Sequence, residues 1–385
     1  MGIRSMREAF NVMKKKVVLF IDIFGCGGIE KFLYNTCKFI NRSEFDISVV
    51  SVILDKNSYY IKMFDEINVS IDQLVEHIET NPLKRMLKGH KAFSKYLEKL
   101  DKKTIIHFNI SNSIDMKYAK IAYNAGFSNL IYHSHNSDAT SHLKRIAHYF
   151  FRPFRYNYSQ KYIACSKEAA IWMYPSEVIN NRKYTIINNA IDVNLYDYND
   201  KSRQKSRNDL NIKKEILIGH VGRYNIQKNH DFLIDIFFEI HKVLHNSKLL
   251  LIGEGELFDQ IFSKIKSLSL EKDVIIIKQT NKVNEYMQAM DVFILPSLYE
   301  GLPFVLVEEQ AAALPAVVSD TITREIEITN YIKYFSLDCG AKKWAEEAID
   351  LLKLERKSTL EKISAAGFNA SENIKKLECI YRSFE

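Results

Sequence analysis

The chain has 385 residues, 46% of them apolar and only 6 of them proline; it can bury large cores, is too long for one ordinary domain and does not have the composition of a disordered chain. Its net charge of +7 invites phosphate-bearing substrates or anionic lipid, while the lack of a recognisable binding motif argues against nucleic acid. The 5 cysteines (Cys26, Cys37, Cys165, Cys339, Cys379) are scattered without metal-ligand or C-x-x-C spacing, which excludes a disulfide framework and suits a reducing cytoplasm, and no run is long enough to span a bilayer.

In chain order, residues 14–23 combine a basic start with an apolar run, as a signal peptide would. Asp22 interrupts the run and Phe24 is bulky where a cleavage site wants small residues, so 17–23 reads as a first strand. It runs into Gly25, Gly27 and Gly28 and then a helix from about Glu30. Such glycines let backbone approach a ligand and feed a helix N-terminus, although the dinucleotide fingerprint is incomplete. Further strands are predicted at 47–54, 104–108, 130–133, 162–164 and 185–187. Lys84, Arg85, Lys88, Lys91, Lys95 and Lys99 alternate with Met86, Leu87, Phe93, Tyr96 and Leu97, a basic amphipathic helix over 84–99 suited to an anionic membrane surface. A second basic and aromatic stretch, 144–158, carries Arg145, Arg152 and Arg155 among Tyr149, Phe150, Phe151 and Phe154. His133, Ser134, His135 and Asn136 follow the strand at 130–132. Alternation at the strand end is expected to aim only one imidazole inward, and His135 is favoured over His133.

The polar stretch 197–214 lacks an apolar period and reads as a domain boundary. The same rhythm then restarts, with strands at 216–221, 248–252, 274–277, 292–295 and 316–318. Strands rich in Val and Ile alternating with helices specify an α/β protein with two doubly wound parallel sheets, and ligands of such sheets bind at the carboxyl ends of the strands. A cleft between the two domains is therefore the default site.

The densest chemical constellation is PSLYEGLPFVLVEEQ, residues 296–310. A strand ends in Pro296-Ser297, a loop presents Glu300, Gly301 and Leu302, and Pro303 suits the first turn of a helix carrying Glu308. That helix would aim its free amides and dipole at a diphosphate. Upstream, GHVGRYNIQKN at 219–229 ends another strand with Arg223 and Lys228 in its loop: a forked and a compact cation fitted to phosphate oxygens. The chain has no Asp-x-Asp for a metal-held donor.

The element from Glu300 to Glu308 closely resembles that of the family 4 retaining glycosyltransferases, especially bacterial capsular and exopolysaccharide ones, and the resemblance covers nearly the whole chain. It implies the GT-B fold, with an acceptor-side domain 1–197, a nucleotide-sugar domain 198–370 and a C-terminal helix, 371–385, returning to the first domain. It implies Glu300 near the donor sugar, Glu308 on the ribose hydroxyls, Arg223 and Lys228 on the diphosphate, and His135 on the donor sugar. The Gly27-Gly28 turn would meet donor phosphates and acceptor, with Glu30 structural; Gly253, Glu254 and Gly255 would lie near base and ribose. Glu309 departs from the pattern, where a small residue is usual, and is expected to put a third carboxylate near the site. The reaction implied is transfer of a sugar from a nucleoside diphosphate, a UDP-sugar by expectation, to a hydroxyl of a lipid-linked glycan, without cofactor or metal. The setting is the cytoplasm, with peripheral membrane contact through 84–99. Two rivals differ in class: a non-catalytic GT-B partner subunit and a sugar-nucleotide epimerase.

Overall fold

β1 (Lys15–Phe24) is apolar from Val17 to Phe24 except at Asp22 because both its faces are covered. Val17, Leu19 and Ile21 pack with Leu33, Ile374, Leu377 and Tyr381 on one side. Val18 and Phe20 pack with Phe93, Phe108 and Tyr118 on the other, as a side-chain period of two requires. The computed structural model describes residues 14–76, 81–136, 142–278, 280–300 and 302–384, the side chains of 142–144 excepted.

Two units result. The first takes the chain to Asn189 and again from Ala370, and the second is Ala190–Asn369. In the first, β1, β2 (Phe45–Leu54), β3 (Ile71–Gln73), β4 (Ile105–Ile110), β5 (Leu130–Ser134), β6 (Lys161–Ala164) and β7 (Thr185–Ile186) form a sheet of order 3-2-1-4-5-6-7. Every pairing is parallel, with Val17 opposite Ile47 on one side and Ile105 on the other. In the second, β8 (Ile216–Val221), β9 (Ser247–Ile252), β10 (Val274–Ile277), β11 (Val292–Leu295), β12 (Ala316–Ser319) and β13 (Ile332–Phe335) take the corresponding order 10-9-8-11-12-13, again all parallel. In each sheet the strand order reverses beside the first strand, at β1/β4 and at β8/β11, and a ligand of a doubly wound sheet is expected beyond the strand ends there.

The C-terminal helix, Ala370–Arg382, belongs to the first unit. Glu378 accepts a 2.7 Å bond from the Asn41 amide, Arg382 forks onto Glu44, and Asn373 donates to the Asn188 carbonyl at 2.9 Å.

Two expectations are corrected. The division falls at Asn189/Ala190, before the break expected at 197/198, because Ile191, Val193 and Tyr196 are buried in the core of the second unit and the Ile191 amide bonds to Phe368. The stretch 197–214 is also no open linker. It contains the helix Asp200–Asp209, held by charge rather than by an apolar stripe: Arg203 donates to the carbonyls of Gln288, Ala289 and Met290, and Arg207 pairs with Asp291 at 3.1 Å.

Candidate active site

In the second unit the loops that follow β8 and β11 meet at the carboxyl edge of the sheet. Lys228 Nζ lies 2.7 Å from Glu300 Oε1, and both side chains are largely buried, 15% and 7% exposed. Ser297 Oγ donates to the same oxygen at 2.8 Å, and Gln227 Nε2 donates to Oε2 at 3.0 Å and to the Tyr299 carbonyl at 3.0 Å. Glu300 thus accepts from three donors. The loop carrying Lys228 is itself fixed: Asn225 accepts from the Lys228 amide, and Asn229, in the left-handed conformation at φ +53°, donates to the Pro296 carbonyl. Asn tolerates that backbone better than most residues.

Arg223 stands apart from this pair. It reaches Glu256 at 3.1 Å with both side chains mostly exposed, so the ion pair is weak and the guanidinium remains open to another anion. Its loop is zipped to the one after β9 by backbone bonds from Gly222 to Ile252 and from Tyr224 to Glu254. A Cβ at Gly253, where φ is +148°, would sit 2.1 Å from the Gly222 carbonyl oxygen, and one at Gly255 would sit 2.3 Å from that of Tyr224. These glycines serve the approach of one loop to another. Glu254 is exposed, and its charge adds to burial in pushing the Tyr224 hydroxyl up to about 12.

Pro303 is buried and caps the helix Phe304–Ala311 from just outside it, one place earlier than its expected position in the first turn. Leu302 packs on the core, and Glu308 is 7% exposed on the helix. Gly301 lies outside the described residues. Glu309 is not a third carboxylate of the site. It is fully buried, neither oxygen has a hydrogen-bond partner among the described residues, and burial drives its carboxyl well above the usual range against the weaker pull of Arg356. One residue further along a helix turns a side chain about 100°, so Glu309 enters the core on a different face of the helix from Glu308.

In the first unit Glu30 organises the glycine turn, its two carboxylate oxygens accepting from the amides of Gly25 (2.6 Å) and Gly27 (2.8 Å) at the start of the helix Gly28–Phe39. Ser58 donates to the Gly25 carbonyl from the other side. The histidine expectation is corrected: His133 and His135 are two apart, share one face, and stack with centroids 4.1 Å apart. His135 is 8% exposed, with Nε2 3.0 Å from Asn109 Oδ1 and Nδ1 3.1 Å from Asn189 Oδ1. A neutral ring donates once. Asn109 spends its own N–H groups on the carbonyls of Phe20 and His107, and the neutral ring gives its one N–H to one of the two amide oxygens, of Asn109 or of Asn189. Burial pushes His135 down to about 3 against the Asn189 bond, and His107 likewise to about 3. His133 joins them through His107, 3.2 Å away, which continues to the Tyr381 hydroxyl at 2.7 Å.

Among the described residues no group of three or more His, Cys, Asp or Glu side chains is placed to hold a metal ion, and no helix is long and apolar enough to cross a membrane. Glu256 and Asn109 escaped the sequence reading, since neither lies in a motif and each acts through a partner distant in the chain, while Gln227 and Ser297 lie inside the two motifs but take their role only from the folded loops.

Residues 26–195 match the family described as Glycosyltransferase Family 4, and residues 202–369 that described as Glycosyl transferases group 1. The chain is a glycosyltransferase with a Family 4 domain followed by a group 1 domain. EpsF of Bacillus subtilis (strain 168), named as a glycosyltransferase, is 28% identical to it over 265 residues, 67% of this chain and 69% of EpsF. The N-acetylgalactosamine-N,N'-diacetylbacillosaminyl-diphospho-undecaprenol 4-alpha-N-acetylgalactosaminyltransferase of Campylobacter jejuni is 32% identical over 142 residues, 37% of this chain and 36% of that enzyme. The crystal structure of Anabaena HepE in complex with UDP and glucose superposes with a TM-score of 0.69 at 16% identity, covering 96% of this chain and 97% of HepE. That likeness establishes the fold of the glycosyltransferase as GT-B.

Proposed function

We propose that this glycosyltransferase moves a sugar from UDP to a hydroxyl of a lipid-linked glycan, with retention at the anomeric carbon and without a metal, in the assembly of a surface polysaccharide. The observation that carries the reading is the buried Lys228–Glu300 pair beside the N-terminus of the helix Phe304–Ala311. A diphosphate leaving group needs cationic and N–H donors fixed before the reaction, where they are worth most. Lys228, the exposed Arg223 and the helix amides are such donors, and Glu300 lies beside them to meet the donor sugar. The phosphate oxygen that departs accepts the proton of the attacking hydroxyl. The UDP and glucose in the HepE crystals and the diphospho-undecaprenol in the name of the Campylobacter relative support the choice of donor and acceptor.

Membrane contact belongs to the same reading. On the helix Pro82–Leu97, Lys84, Lys88, Lys91 and Lys95 are exposed beside Leu83 (68%) and Leu87 (64%). On the helix His142–Arg155, Ile146, Tyr149, Phe150 and Phe154 face outward. Arg152 and Arg155 turn back instead onto the carbonyls of Ile171, Trp172, Ser113 and Ile114. Apolar side chains rimmed by lysines fit an anionic bilayer surface.

The test is incubation with UDP-, GDP- and ADP-sugars, with and without prenyl-diphosphate sugars and with EDTA. Acceptor-dependent release of UDP that survives EDTA, and a product of unchanged anomeric configuration, are expected. A sugar nucleotide altered without acceptor marks an epimerase instead, and a protein inert with every donor marks a non-catalytic partner.

A further inference from the structure

Because every strand of the first sheet is parallel, the residues that enter β1, β4, β5 and β6 share one edge, the amino edge, opposite the glycine turn that follows β1. Two adjoining hollows of about 350 and 570 Å³ lie there, wholly within the first unit. Lys103, Asn129 and Phe384 line both, so the two form one elongated groove. That length suits an extended chain better than a compact molecule.

The groove is apolar at its floor and cationic at its rim. Ile105 and Phe384 are buried, and beside them Thr104, 1% exposed, holds a hydroxyl with no hydrogen-bond partner. A buried hydroxyl left unpaired costs stability, and an incoming polar group relieves that cost. Six lysines line the two hollows, Lys14, Lys15, Lys16, Lys102, Lys103 and Lys161, against one carboxylate, Asp101. Lys15 is spent on the carbonyls of Arg382 and Phe384, and Asp101 accepts from the Lys103 amide at 2.8 Å. The other five lysines have no ion pair among the described residues. Like charges gathered on one rim repel one another, and only an anion from outside relieves them. A bilayer surface is flat and does not fill a groove. The outward Leu83 also stands about 20 Å along its helix from Leu97, the end that leads to Lys102, so the membrane face lies towards the other edge. Residues 1–13 carry Arg4 and Arg7 against Glu8, a charge that the lysines repel.

We propose that this groove docks an acidic, extended segment of a partner protein. One aromatic or aliphatic side chain of that segment enters the hollow over Ile105 and Phe384, and its flanking Asp and Glu side chains meet the five unpaired lysines. A partner held there leaves the carboxyl edge of the sheet uncovered. The groove shares no residue with the donor loops, so the proposal stands apart from the reading of the previous subsection.

The experiment measures binding, so that it does not depend on turnover. The full chain is titrated, with fluorescence anisotropy as the signal, with a labelled short peptide of Asp and Glu carrying a single central Phe, and with the same peptide carrying Ser in place of Phe. Saturable binding of the first is expected, and the second should bind weaker by about tenfold or more, the scale of one buried aromatic side chain. Lys16→Glu/Lys103→Glu should weaken the Phe peptide by about tenfold, the scale of a few exposed charge contacts reversed. Lys205→Glu/Lys362→Glu, an equal change of net charge at exposed lysines of the second unit, should leave it bound as before. All four lysines are exposed, so both variants should fold, which circular dichroism checks. Absence of saturable binding, equal binding of the Ser peptide, or an equal loss in the two variants overturns the assignment. Binding to phosphatidylglycerol vesicles that Lys16→Glu/Lys103→Glu abolishes, with neither peptide bound, gives the groove to a membrane and overturns it as well.

Discussion

Acidification should unfold this protein through histidines that its cores keep neutral. In the first unit burial pushes His107 and His135 down to about 3, and in the second it pushes His220 to about 3 and His230 to about 2. Depressed values mean that the folded chain refuses protons that the unfolded chain accepts at about 6.5. Their contribution is therefore fully present above pH 6.5 and is lost as pH falls from there towards 3. At pH 5 each has lost about 2 kcal/mol, at about 1.4 kcal/mol per pH unit, and each unit about 4 kcal/mol, a large share of the 5–15 kcal/mol of a typical domain. His230 isolates the effect, because it is 1% exposed and neither ring nitrogen has a partner among the described residues. Urea titrations followed by circular dichroism between pH 7.5 and 5 should show stability falling mainly below 6.5. In His230→Leu the slope for the second unit should be shallower by roughly one proton, about 1.4 kcal/mol per pH unit. Stability that stays level from pH 7.5 to 5, or a variant that keeps the full slope, would refute the reasoning.

Glu309 behaves in the opposite sense: its raised value makes the folded chain bind a proton that the unfolded chain releases above about 4.3, so its share of stability is lost as pH rises. Glu309→Gln should raise Tm more at pH 8 than at pH 5, and a variant that melts lower at pH 8 would contradict a neutral buried acid. Gly253→Ala, which drives a methyl into the Gly222 carbonyl at positive φ, should destabilise the second unit by about 2 kcal/mol or more, whereas Gly219→Ala, which meets the flexible Met290 side chain, should be milder; urea midpoints decide the order. Lys228→Ala should lower kcat by about 10²–10³, the effect of removing one preorganised donor, and equal kcat in the variant would remove Lys228 from the chemistry. Arg223→Ala, which breaks only an exposed pair with Glu256, should leave Tm unchanged while raising the KM for the donor nucleotide, and a drop in Tm without a kinetic effect would make that arginine structural.

The central strands were legible because burial on both faces makes them continuous runs of Val, Ile and Leu, and all eleven strands expected from the sequence are present. The two it missed, β3 and β13, are edges with one neighbour each, and β3 is only three residues of mixed polarity. The helix Asp200–Asp209 was invisible for a different reason. Its hold on the fold comes from two arginines reaching carbonyls and Asp291, and a charge contact leaves no period in the sequence. The same distinction runs through the site. Lys228 and Glu300 could be found as a pattern because each follows a strand that announces itself. Gln227, Ser297 and Glu256, which decide how those charges are held, are ordinary polar residues until the loops are folded. Glycines are the subtler case. Gly253 and Gly255 are expected near base and ribose, and their missing side chains also make room for the backbone of Gly222 and Tyr224. A glycine in a loop after a strand reports that something approaches closely, and neighbouring strands of a parallel sheet supply that something themselves. The chemistry of this site is therefore carried by the side chains the loops present, and its geometry by the loop-to-loop contacts that the glycines allow.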